Sequence, residues 1–195
     1  MGSAAAETTG DALGAGPQGQ MWLLRSARRL LDASEEELGT VPLAAEILVG
    51  GSQAWCRSGE GAEALVAAER AATRAPGHPM VLLVRAQALL LLGDLEEART
   101  ALELAGRPGA NGFFFDRDGH SAALSVAQAE LAHRRGDHDD AVRILTEAAA
   151  ALPDHRALGL ARLHALVRAG QAQQALREGV AHLKTNPGDR GGLLV

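Results

Sequence analysis

The chain lacks most of what stabilises small folds by cross-linking or by aromatic packing. Its one cysteine, Cys56, rules out a disulfide framework within the chain and a cysteine-rich zinc site. Aromatic residues make up 3% of the sequence and tyrosine is absent, while Val and Ile are sparse. That composition excludes a β-sandwich or barrel as the expected architecture. No apolar run approaches the ~18 residues needed to span a membrane. Lysine occurs once, as Lys184, and 24 acids against 19 bases leave a net charge of −5. A general nucleic-acid surface needs the opposite sign, so none is expected. What abounds instead are 40 alanines and 30 leucines in 195 residues. Both are strong helix formers, and a chain of this length can bury roughly 70% of its unfolded surface. The expectation is an all-α domain.

Residues 1–20 are rich in Gly, Ala and Thr, hold two acids and no base, and show no period. They read as a flexible tail, with Met1-Gly2-Ser3 open to being a cloning scar, and residues 191–195 as a second tail. A secretory signal would place basic residues before an unbroken apolar stretch. Here Met21 to Leu24 is cut at once by Arg25, Arg28 and Arg29, and the cytoplasm is the expected location. Residues 21–40 carry an amphipathic helix over 21–38, with Leu24, Ala27, Leu30, Leu31 and Leu38 near one face. In that reading Glu35, Glu36 and Glu37 sit at the unfavourable end of the helix dipole.

Self-comparison shows a repeat. Four segments place an Ala five residues after a Gly: Gly59/Ala64, Gly93/Ala98, Gly136/Ala141 and Gly170/Ala175. Pro76, Pro153 and Pro187 each follow 17 residues after one of these glycines. The first two glycines are 34 residues apart, as are the last two, and the middle interval of 43 holds nine extra residues. A Gly closes one apolar helix in the left-handed conformation. Asp94 and Asp137, next in sequence, are placed to cap the following helix, and the small Ala lets the two helices approach. A Pro then ends the pair. Such a pair cannot bury its apolar face alone, so neighbours must stack.

The segments "RAQALLLLGDLEEARTALELA" and "VAQAELAHRRGDHDDAVRILTEAAAALP" carry this pattern best, joined by "ARLHALVRAGQAQQALREGVAHLKTNP" and "GSQAWCRSGEGAEALVAAERAATRAP". Over about 43–190 the chain resembles the tetratricopeptide repeat family. It departs from the family's aromatic preferences: Trp55 stands in the first helix, but Leu89, Ala132 and Leu166 replace it later. Ala68, Leu102, Leu145 and Gly179 stand at the second-helix position. The resemblance implies a right-handed α-solenoid of antiparallel helix pairs, with units at about 43–76, 79–108, 121–153 and 155–187 within 41–190. It also implies that the first helices line a concave groove for a protein or an extended peptide. Carried over by phase, the groove positions are Gln53, Gln87, Glu130 and His164. One turn later come Arg57, Leu91, Arg134 and Arg168, and one turn earlier Val49, Leu83, Val126 and Leu160. An apolar strip with arginines beside it suits a peptide with an apolar anchor and a carboxylate. The positions used by the family's chaperone-tail binders hold Val49, Gln53, Gln87, Val126 and Glu130, so that clamp is not expected.

The insertion 106–120, "GRPGANGFFFDRDGH", holds all three Phe of the protein: Phe113, Phe114 and Phe115. Adjacent side chains of an extended segment point to opposite sides, so an exposed anchor and a plug between units are both open readings. "HRRGDHDD" and "DRDGH" crowd His and Asp together, but their spacing fits turn capping better than metal ligation. Cys56, with Arg57 beside it and no His placed near it, reads as a small core residue. No phosphate-binding Gly loop or nucleophile elbow occurs. No cofactor and no metal is expected, and the chain reads as non-catalytic. Its expected role is an adaptor or scaffold that binds a protein or peptide. The alternatives are a small-molecule or catalytic accessory module using the Phe loop, and a self-assembling module in which Trp22 and the N-terminal helix meet a second copy. The Ala- and Gly-rich, Lys-poor composition points to a GC-rich, bacterial genome.

Overall fold

The computed structural model describes residues 17–41, 43–107 and 117–185. Among the described residues there are ten helices and no strand, so the all-α helical-repeat class read from composition and period is the fold. The chain divides into a first unit through Asp94 and a second from Leu95.

The first unit holds α1 (Pro17–Asp32), α2 (Glu35–Thr40), α3 (Ala44–Ser58), α4 (Gly61–Arg74) and α5 (Pro79–Leu92). Its beginning differs from the single helix expected over 21–38, because Ser34 interrupts it. The Ser34 hydroxyl accepts from the Glu37 backbone N–H at 3.2 Å, and the Ser34 N–H donates to the Glu37 carboxylate at 2.8 Å. This reciprocal capping box starts a new helix. Glu35, Glu36 and Glu37 therefore occupy the first turn of α2, where the dipole favours acids. Arg70 of α4 braces the break, donating to the Ala33 carbonyl and, at 2.6 Å, to Glu35.

Helix α1 covers the apolar edge of the first pair, burying Ala27 and Leu30 in a core with Leu48, Val49, Trp55 and the small residues of α4. Gly50 and Gly51 make the close approach of α1 and α3 feasible. A Cβ on Gly51 would lie 2.3 Å from that of Ala27, and one on Gly50 would lie 3.1 Å from Leu23. Across the α3–α4 turn, the fully buried Ser52 hydroxyl donates to the Ala64 carbonyl at 2.8 Å.

All four repeat glycines are helix stops. Gly59, Gly93, Gly136 and Gly170 have φ of 79°, 87°, 89° and 75°. In each case the glycine N–H and the next residue's N–H turn back onto the preceding helix, as in Gly136 to His133 and Asp137 to Ala132. Asp137 thus uses its backbone to close α7, and its side chain makes no cap bond to α8, contrary to the expectation. Its ψ of 63° departs from the extended value, near 163°, at which Ser34 does cap. The alanines five residues on, Ala64, Ala98, Ala141 and Ala175, are all buried.

The second unit holds α6 (Leu95–Ala105), α7 (Arg117–Arg134), α8 (His138–Ala151), α9 (Arg156–Arg168) and α10 (Ala172–Thr185). Residues 117–120, read from sequence as the end of the inserted loop, form the first turn of α7 instead. His120 is buried there, and its Nε2 donates to the Ala105 carbonyl at 3.2 Å, capping the end of α6. The centre of the second unit is Ala122, Ala129, Ala132, Leu145 and Leu158. On its last helix Leu176 and Val180 remain exposed.

Candidate binding groove

Helices α7, α8 and α9 line a cavity of about 270 Å³ that opens to solvent. Val126, Glu130 and His133 line it from α7, Ala141 and Leu145 from α8, and Leu160, Ala161, His164 and Arg168 from α9. Five residues placed in a groove by repeat phase, Val126, Glu130, Leu160, His164 and Arg168, therefore meet at one cavity. Their spacing explains this: 126 and 130 lie one turn apart on α7, as do 160, 164 and 168 on α9, so each set shares a helical face. The alanines at 129, 161 and 165 leave the space between the helices unfilled.

The arginines have a partner inside the protein. Arg134 Nε donates to one Glu130 oxygen at 2.7 Å, and Arg168 Nη1 donates to the other at 2.8 Å. Glu130 thus occupies the place that sequence reasoning reserved for a ligand carboxylate. Burial pushes its carboxyl pKa up, but the hydrogen bonds from Arg168 and Arg134 outweigh that and hold it below the ordinary range. The second of these bonds ties α7 to α9.

His133, on the cavity wall, faces His138 across the α7–α8 turn, their Nδ1 atoms 2.6 Å apart. At that distance one ring supplies an N–H and the other a lone pair, so the pair is stable with one of the two Nδ1 atoms protonated. Burial, the Arg168 guanidinium and His138 together lower the pKa of His133. Among the described residues no three His, Cys, Asp or Glu side chains converge to hold a metal ion.

The remaining groove positions lie in the first unit and divide by burial. Val49 is 4% exposed and Leu83 fully buried, so both belong to the interior and line no open surface. Gln53 and Gln87 are half-buried, while Arg57 and Leu91 are exposed. Cys56 is partly buried beneath this face, and burial raises its thiol pKa to about 11 against the opposing effect of Arg57. It is a packing residue with little thiolate at neutral pH. Phe113, Phe114 and Phe115 lie outside the described residues, as do residues 1–16 and 186–195. Among the described residues no helix is long and apolar enough to cross a membrane.

Sequence models of the tetratricopeptide repeat match residues 57–112 and 122–147. No curated protein and no solved structure matches the chain. The matched segments contain three of the four Gly-to-Ala turns or their flanking helices, and the fourth turn, at Gly170, repeats their geometry. The chain thus carries tetratricopeptide repeats over these segments.

Proposed function

We propose that this protein is a non-catalytic adaptor that binds another protein through the cavity between α7, α8 and α9. Tetratricopeptide repeats support a role in protein–protein interaction in general, and the family is typically non-catalytic. The observation carrying the finer reading is the convergence of Val126, Glu130, Leu160, His164 and Arg168 on one 270 Å³ cavity. That volume lies below the roughly 300–1,000 Å³ of typical small-molecule sites and suits a single anchoring side chain. The test is affinity capture from a lysate of the source organism with the parent and with Ala161→Trp, which fills the cavity. Circular dichroism checks that the variant stays helical. A protein held by the parent and lost by the variant supports the reading; identical capture by both rejects it.

Self-assembly is a second reading with its own observation. Met21 and Trp22 on α1 are 51% and 49% exposed, while the opposite face of the helix is buried. Light scattering coupled to size exclusion would detect a dimer, and Trp22→Ser would return it to monomer if this face made the contact.

A further inference from the structure

Glu130 and Arg168 line the cavity, and Arg134 reaches Glu130 from one turn further along α7; given the adaptor reading above, this ion-pair arrangement explains what kind of side chain the cavity accepts. Glu130 engages both guanidiniums through charge-assisted bonds of 2.7 and 2.8 Å, one to each carboxylate oxygen. Such bonds are the stronger class of hydrogen bond. The wall behind them is apolar, formed by Val126, Leu145, Leu160 and Ala161. We infer that the cavity takes an uncharged apolar side chain from within an extended partner segment, and that Glu130 is the residue that makes it refuse an acidic one.

The argument is charge complementarity. An incoming carboxylate would meet the Arg168 guanidinium, which, like Arg134 beside the cavity, is already held by a carboxylate of the protein itself. To use that guanidinium fully it would have to displace Glu130 into a half-buried position without its partners, at the cost of an unpaired charge. The one net positive charge left over sits on guanidiniums that are 34% and 46% exposed, where water weakens any ion pair. A cationic side chain would face Arg168, together with the His133 and His164 rings. An aliphatic side chain meets none of these costs, and it gains the burial of its apolar surface in the gap left by the alanines.

The test uses the full chain and two probes whose side chains have similar shape and differ in carrying a charge: N-acetyl-leucinamide (the amide) and the α-amide of N-acetyl-aspartic acid (the acid). Methyl-detected NMR follows Val126, Leu145 and Leu160 during titration at neutral pH. The expected result is saturable shifts with the amide, and binding of the acid no tighter than that of the amide. In Glu130→Gln the arginines lose their internal partner, and the acid should then gain roughly tenfold over the amide, the scale of one charge-assisted hydrogen bond. Tighter binding of the acid by the parent chain overturns the inference while leaving the adaptor reading in place. An unchanged preference in Glu130→Gln overturns it as well. If neither probe moves a cavity methyl, the inference fails, while capture with the parent and Ala161→Trp still decides the adaptor reading. Should Glu130→Gln not fold, the comparison of acid with amide on the parent still decides.

Discussion

Gly51 shows how one hydrogen atom sets a helix contact. A glycine inside a helix costs about 1 kcal/mol relative to alanine, so two in succession at 50 and 51 need a compensating contact. That contact is α1, whose Ala27 leaves no room for a further carbon at Gly51. Gly51→Ala should therefore lower stability by about 1–3 kcal/mol of overpacking, less the propensity gain, and loosen α1 first. A thermal melt with Trp22 and Trp55 fluorescence checks both, and an unchanged melting temperature would show that α1 does not pack as described. Cys56 makes a simpler prediction. With its pKa raised to about 11 from an ordinary 9.0, it should alkylate about a hundredfold more slowly than a free thiol near neutral pH, as thiolate is the reacting form. Iodoacetamide labelling of the native chain against the urea-unfolded chain measures this. The sequence foretold an inert Cys56, since no base is placed near it. It gave no sign that Gly50 and Gly51 form a contact, because the partner lies in another helix.

At the level of elements, the start of α2 is written in the sequence. Ser34-x-x-Glu37 is a capping box, and the three acids that looked misplaced at a helix end belong to a helix beginning. Ser34→Ala should cost about 1 kcal/mol, and Ser34→Asp, which keeps the acceptor, should restore most of it. Chemical denaturation of both variants provides the comparison. If Ser34→Ala were neutral, Arg70, holding the Ala33 carbonyl, would be what maintains the break. The four glycine stops were legible as well. A left-handed φ is a local demand that glycine meets without strain, so it leaves a mark at a fixed position in every unit. Asp137 shows where local reasoning ends. Its composition favours a cap, but the tight turn that Gly136 creates fixes a backbone angle at which the side chain makes no cap bond.

For the whole molecule, pH is the variable that reaches several contacts at once. The folded pKa of His133 lies below the ordinary 6.5, so the unfolded chain binds more protons there and stability falls as pH drops from 6.5 through the lowered value. Glu130 and Glu96 are held below the ordinary 4.5, Glu130 by its two arginines and Glu96 by Arg99 and Arg135. Their contribution is present above 4.5 and is lost as pH falls through their lowered values. The melting temperature should decline in two stages on acidification. His133→Gln should remove the first stage, and Glu130→Gln should shrink the second. A single decline, unaltered by either variant, would mean that these contacts do not form as described. Helix content and the glycine stops follow from the sequence alone, since each depends on residues within a few positions of one another, and the repeat period follows from the spacing of those stops. Of the positions assigned by phase, some line the cavity and others lie in the interior. Helical phase brought Val126, Glu130, Leu160, His164 and Arg168 onto facing surfaces, yet Val49 and Leu83 in the same phase are buried. Which faces meet, and that Glu130 answers Arg168 from 38 residues away, depend on how the helices pack, and no local pattern in the chain encodes the distance between two of them.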